Sequence, residues 1–128
     1  MPAVLYLDAS AVAKLCLDEP ESEALGGRVR GRRLVSSSLV EVEVTRAARR
    51  VTDHDVCGPV LSAVALLALD RPTLRIASTL GPSQLRTLDA IHLASALQLG
   101  ADLEAFVTYD LRQADAAAAA GLPVETPR

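Results

Sequence analysis

Ala3-Val4-Leu5-Tyr6-Leu7-Asp8-Ala9-Ser10-Ala11 is the stretch on which the reading of the fold turns. Its apolar run, with β-branched and aromatic members, is too short and too uniform for an amphipathic helix and predicts a strand. The run breaks at a lone carboxylate followed by a hydroxyl residue, and a helical face of Ala11, Val12, Leu15 and Cys16 begins at once. A strand apolar on both sides belongs inside a parallel sheet, and open parallel sheets keep their ligands outside the carboxyl ends of the strands. Asp8 is therefore placed where chemistry is expected, with Ser10 as a candidate cap for the following helix. An equally open reading makes Asp8 itself no more than that cap.

The same pattern returns near the other end. Residues 105–109 form a second apolar run, again closed by a carboxylate, Asp110, and again followed by a predicted helix, over 111–120. Between these two units, a weak helix is expected over 21–29, then a short strand at Leu34-Val35-Ser36. Ser37 or Ser38 should cap a helix over 39–50, whose apolar rows of Leu39, Val40, Val42 and Ala47 carry Glu43 on their side. A carboxylate on an apolar face needs a partner. Residues 57–67 read as a well-buried helix with Pro59 in its first turn, although 65–69 could form a short strand instead. A helix over 71–80 stops at Gly81-Pro82, and one over 87–97, with Thr87 as cap and Asp89 in its first turn, stops at Gly100. Gly121 and Pro123 close the last helix, and Val124 can add an edge strand. Strands alternating with helices through right-handed crossovers imply an α/β fold, a three-layer α/β/α sandwich around a mainly parallel sheet. A chain of 128 residues suits one domain spanning 1–128.

Bulk properties exclude several classes of function. Half the residues are hydrophobic, yet no apolar run nears the roughly 20 residues of a spanning helix, and the N-terminus lacks a basic leader segment. A cytoplasmic protein with no membrane association is expected. Cys16 and Cys57 lack metal-site spacing and suit buried free thiols. A net charge of −3 argues against a general coat for nucleic acid, but Arg28, Arg30, Arg32 and Arg33 cluster, as do Arg46, Arg49 and Arg50. Either group can make a local phosphate-binding face, and a GC-rich codon bias explains the same arginines equally well. With aromatics at 2% there is no stacking platform for single-stranded bases.

Two strands ending in Asp8 and Asp110 bring both carboxylates to one sheet edge if the strands are neighbours, and Glu43 and Asp89 sit near the starts of apolar-faced helices. Carboxylates a few Å apart repel by roughly 1 to 4 kcal/mol per pair, so such a cluster needs protons or a cation, and repulsion should raise at least one of the acids. All-oxygen ligands select Mg²⁺ or Mn²⁺ over zinc. A hydrated ion of this kind is the usual apparatus for turning water against a phosphodiester.

Taken together, Leu7-Asp8-Ala9-Ser10-Ala11, Ser37-Ser38-Leu39 through Val42-Glu43-Val44 with Arg46, Thr87-Leu88-Asp89-Ala90-Ile91-His92-Leu93-Ala94 and Thr108-Tyr109-Asp110 resemble the signatures of PIN domains. The chain is most similar to the VapC-type toxins of bacterial toxin-antitoxin modules, and the resemblance covers nearly its whole length. It implies metal-dependent RNA cleavage, with Asp8, Glu43, Asp89 and Asp110 as catalytic and metal-site acids and Ser10 and Thr108 as supporting hydroxyls. It also implies a homodimer and a cognate antitoxin. Some members carry a further acid where this chain has Arg112; Asp115, a helical turn on, is the candidate substitute. Arg46, Arg49 and Arg50 are the candidate RNA contacts. Glu41 faces away from Glu43 on a helix, and a lone helical His92 is more often packed than a ligand.

Two other readings compete. A phosphoacceptor domain also places an aspartate after its first strand, but the phosphatase version wants a second acid where Ser10 stands, and the receiver version wants a late lysine, whereas Lys14 is the only one. A non-catalytic PIN-like module that binds RNA or a partner is the alternative closer to hand, and retention of all four acids counts against it.

Overall fold

The computed structural model describes residues 3–128, so the first two residues of the expected 1–128 domain lie outside the described residues. Strand β1 (Val4–Leu7) is followed by helices α1 (Ala9–Cys16) and α2 (Ser22–Val29), strand β2 (Arg33–Ser37), and helices α3 (Leu39–Ala48) and α4 (Gly58–Ser62). Then come strand β3 (Val64–Leu67), helices α5 (Arg71–Thr79) and α6 (Thr87–Leu97), strand β4 (Leu103–Val107), helix α7 (Leu111–Ala119) and strand β5 (Val124–Glu125). A short 3₁₀ turn, Gly100–Asp102, leads into β4. All strand pairs are parallel, in the order β3-β2-β1-β4-β5.

The chain leaves β1 toward one edge through β2 and β3, then returns to the other flank of β1 with β4. The order reverses between β1 and β4, where Tyr6 pairs with Phe106 and Leu7 with Val107. Diverging connections at such a switch point leave a crevice beyond the strand ends, and Asp8 and Asp110 follow those two strands.

Alternation along β1 divides the core. Leu5 and Leu7 face Ala11, Val12, Leu25, Val40, Val44 and Cys57 from helices on one side. Tyr6 faces the other side, with Leu93 and Ala96 of α6, Ala116 and Ala117 of α7, and Phe106, whose ring stacks on that of Tyr6 at 5.3 Å. Helices thus cover both faces of the sheet, as the expected three-layer sandwich requires. Full burial of each of these leucine and valine side chains stabilises the fold by about 1.5–3 kcal/mol.

Several local expectations are corrected. Asp8, not Ser10, occupies the N-cap of α1, because its carboxylate reaches the Ala11 amide at 3.1 Å while Ser10 lies inside the helix. Ser38 holds the N-cap position of α3 without a side-chain bond, and the Ser37 hydroxyl accepts from the Leu39 amide at 3.2 Å. The buried row of α3 is Val40, Val44 and Ala48; Val42 is 59% exposed. Residues 57–67 do not form a buried helix: α4 has no buried residue and the chain turns at Ala63 into β3, which pairs with β2. The alternative of a strand in this region is the one that holds. Arg86, not Thr87, is the N-cap residue of α6, and it makes no side-chain cap bond. Strand β4 ends at Val107, leaving Thr108 and Tyr109 in the turn.

Cys57 is buried and Cys16 half-buried, and both are free. Burial, reinforced by the neighbouring Cys57 thiol, pushes the Cys16 thiol up to about 12. Arg28 and Arg32 do not form an open phosphate-binding face: Arg28 is paired with Glu125 at 2.6 Å and Glu104 at 2.6 Å, and Arg32 with Glu104. No helix among the described residues is long and apolar enough to cross a membrane.

Candidate active site

Asp8, Ser10, Glu43, Asp89 and Asp110 line one cleft of about 330 Å³ at the carboxyl ends of β1 and β4, together with Arg86 and His92. Each enters from a different element. Asp8 and Asp110 are the N-caps of α1 and α7, Glu43 projects from α3 on one face of the sheet, and Asp89 and His92 project from α6 on the other. The positive ends of α1 and α7 point at the carboxylates that cap them, which favours the ionised form. Cap and site are therefore one arrangement.

Asp8 is 4% exposed and is held on both oxygens. Oδ1 accepts from the Ser10 hydroxyl at 2.7 Å and the Ala11 amide at 3.1 Å, and Oδ2 accepts from the Thr108 hydroxyl at 2.5 Å. Burial pushes its carboxyl above the usual range, and the Thr108 and Ser10 hydroxyls pull it partly back. Desolvation raises this acid; repulsion among the acids, the expected cause, does not. The same hydroxyls fix the turn after β4. Ser10 Oγ accepts from the Tyr109 amide at 2.8 Å, and Thr108 Oγ1 accepts from the Asp110 amide at 3.1 Å. Asp110 Oδ1 in turn accepts from the Arg112 amide at 2.9 Å.

Glu43 has the partner that its position demanded. Its Oε1 lies 2.7 Å from His92 Nε2, and His92 Nδ1 lies 2.7 Å from the Tyr6 hydroxyl. A carboxylate only accepts, so Nε2–H donates to Glu43 and leaves Nδ1 to accept from Tyr6. Burial pushes the Tyr6 hydroxyl well above its ordinary value, which keeps it a donor. With both ring nitrogens bonded and 1% of its surface exposed, His92 is a support for Glu43 and not a free ligand.

Asp89 and Asp110 share a cation. The Arg86 guanidinium donates from Nε to Asp89 Oδ2 at 2.9 Å and from its terminal nitrogen to Asp110 Oδ2 at 2.8 Å. Among the described residues no three His, Cys, Asp or Glu side chains are gathered closely enough to cage a metal ion. The donor set still suits a hard ion. Every carboxylate is oxygen-only, and Mg²⁺ is held through one or two carboxylates with waters completing its shell, so no cage of three is required. Arg86 shows on its own that Asp89 and Asp110 attract positive charge.

Asp115 does not join this cleft. It is exposed and lines an adjoining groove of about 450 Å³ with Arg112, Leu85 and Pro82, a groove that also touches Arg86 and Asp89. Arg46, Arg49 and Arg50 are exposed and line a shallow depression at the end of α3, one turn and more beyond Glu43. Sequence reasoning missed Tyr6 and Arg86. Arg86 carried a signal, its i,i+3 spacing to Asp89 at a helix start; Tyr6 carried none, because an aromatic in a strand reads as core.

The family model described as PIN domain matches residues 5–119. The chain is 44% identical over 128 residues to Ribonuclease VapC46 of Mycobacterium tuberculosis, covering 98% of each. The crystal structure of VapC20 from Mycobacterium tuberculosis, described as a Sarcin-Ricin loop cleaving toxin, superposes with a TM-score of 0.75 at 15% identity, covering 96% of this chain and 99% of that one. That of VapBC2 from Rickettsia felis, bound to a DNA fragment from its promoter, does so with a TM-score of 0.72 at 12% identity, covering 98% of this chain and 99% of the other.

Proposed function

Because the chain belongs to the PIN domain family, we propose that it is a metal-dependent endoribonuclease, the toxin of a type II toxin-antitoxin module. The observation that carries this reading is the single cleft at the β1/β4 switch point, into which Asp8, Glu43, Asp89 and Asp110 all open. Relatives at up to 44% identity over nearly the full chain are named ribonucleases, which supports RNA as the substrate. The VapBC2 structure supports an antitoxin as partner.

In this reading Asp8, Glu43, Asp89 and Asp110 would hold Mg²⁺, or Mn²⁺ in its place. When bound, the ion neutralises phosphate charge and lowers the pKa of a water. The chain's own residues do the rest. Ser10, Thr108 and the Ala11 amide fix Asp8, and the Tyr6–His92 pair fixes Glu43, so that the acids keep their orientation as an ion arrives. Water attacks phosphorus in line, its proton passes to a cleft carboxylate, and the bond to the 3′ oxygen breaks, that oxygen taking a proton from solvent water. The products carry 5′-phosphate and 3′-hydroxyl ends. Arg46, Arg49 and Arg50, exposed beyond Glu43, hold flanking phosphates. The protein acts in the cytoplasm, as a homodimer, and is silenced when its antitoxin covers the cleft.

Purified protein incubated with structured RNA is the test. Cleavage should require Mg²⁺ or Mn²⁺; persistence in excess EDTA, or 2′,3′-cyclic phosphate ends, overturns the mechanism. No cleavage under any metal condition favours the non-catalytic PIN-like module. The phosphoacceptor reading has lost its lysine: Lys14, the only one in the chain, is paired with Glu19 and Glu21.

A further inference from the structure

Arg86 lies at the junction of the acid cleft and the adjoining groove, lining both. Its guanidinium bridges Asp89 and Asp110, yet its side chain is 63% exposed. It packs into no core cluster and makes no cap bond at the start of α6. Asp89 first, and Asp110 next, hold it charged. A fork of N–H donors on a solvent-facing side chain exchanges partners cheaply, because exposed ion pairs are weak and the planar group meets carboxylate and phosphate with the same geometry.

We propose that Arg86 is the resident cation of the metal-free cleft, which a divalent ion displaces from Asp89 and Asp110, and that the freed guanidinium then binds a phosphate of the RNA backbone beside the scissile one. This inference rests on the nuclease reading. The displacement follows from charge: a divalent ion seated on the Oδ2 atoms that now hold the guanidinium takes its two acceptors and repels its positive charge. The new partner follows from place. Arg86 lines both the acid cleft and the groove formed with Pro82, Leu85 and Arg112, so its exposed guanidinium stands where the two meet and where a strand crossing the cleft would present a neighbouring phosphate. Arg86 thus offsets repulsion between two acids at rest and offsets the charge of the polyanion when the site is loaded.

Two binding measurements test this, each with a readout other than cleavage. Titration calorimetry with Mn²⁺ alone should find binding about threefold tighter in Arg86→Gln than in wild type, since the ion no longer competes with a side chain. The second measurement uses a fluorescein-labelled RNA stem-loop and saturating Ca²⁺ in place of Mg²⁺, a hard cation that takes oxygen ligands, with gel analysis to verify that the RNA stays intact. Here, Arg86→Gln should weaken binding and reduce the slope of log affinity against log salt by about one. Arg86→Lys, which keeps the charge without the fork, should fall between on both readouts, and it carries the test if the glutamine variant does not fold. Mn²⁺ affinity that is unchanged or weakened overturns the proposal, as does an unchanged salt slope. A wild-type protein that neither binds Mn²⁺ nor cleaves RNA would instead defeat the nuclease reading, whereas a wild type that does both beside an indifferent Arg86→Gln defeats this inference alone.

Discussion

Asp8 carries a burden that its hydrogen bonds only partly relieve: three donors hold its carboxylate, and burial still raises its pKa. Because the folded value lies above the unfolded one, the native state binds more protons, so stability from this group is full below the unfolded value and is lost as pH rises through the folded value. Asp8→Asn removes the charge and leaves an oxygen for the Ala11 amide. The variant should abolish cleavage yet be no less stable than wild type at pH 7 without metal, and its advantage should shrink in acid; urea unfolding at both pH values measures this. Marked destabilisation at pH 7 would reduce Asp8 to a structural cap. Tyr6→Phe probes the other support. It strips the donor from His92 Nδ1, which should cost about 1–3 kcal/mol as a buried acceptor loses its partner, and should weaken metal affinity 10-fold or more through Glu43. A stability loss with metal affinity intact would show that the pair does not orient Glu43. Singly, each of these acids also reads as a cap or a surface group, and they were readable only together, in an order and spacing that resemble the PIN-domain signatures. Tyr6 was not, since its hydroxyl serves a histidine 86 positions away.

Helices with a local signal and those without one behaved differently. Asp70-Arg71-Pro72-Thr73 announces the start of α5, and the Asp70 carboxylate accepts from the Thr73 amide at 2.9 Å and its hydroxyl at 2.6 Å. Those bonds lower the Asp70 carboxyl below its usual range. A depressed folded value means stability that is present above the unfolded value and lost as pH falls through the folded one. Asp70→Ala should therefore lower the melting temperature at neutral pH, and the gap from wild type should close in strong acid; a gap independent of pH would show that the cap acts through something other than its charge. The segment 57–67 had a start signal, Pro59 in the first turn of α4, but no stop signal before β3. Its apolar run is long enough for a helix, and only pairing of Val64, Ala65, Leu66 and Leu67 with β2 makes its second half a strand. Thr87 looked like a cap by composition, but the chain enters the helix one residue earlier, with Arg86 extended at ψ 149°. Tertiary pairing and chain entry angle are invisible to periodicity.

The alternation of strands and helices made the layered architecture legible, but nothing in it ordered the strands, and the convergence of four acids depends on β4 returning to the flank of β1. That placement has a consequence for the fold as well as for the site. Glu43 belongs to the helices on one face of the sheet and Asp89 to those on the other, with Asp8 and Asp110 on the sheet edge between. On the proposed reading, a divalent ion held by acids of both layers would join them, and it would bind the native state alone because the unfolded chain has no cleft. Wild type should then gain about 2.7 kcal/mol at Mg²⁺ a hundredfold above its dissociation constant, while Asp8→Asn and Asp89→Asn should gain far less. Hydrogen exchange gives the same prediction spatial content: Mg²⁺ should slow exchange at the start of α6 and around Glu43 in α3 together, and in neither variant. A rise in melting temperature shared equally by wild type and both variants would mean diffuse charge screening on an acidic protein. Protection confined to one face of the sheet would mean that the ion is held by fewer acids than the cleft brings together.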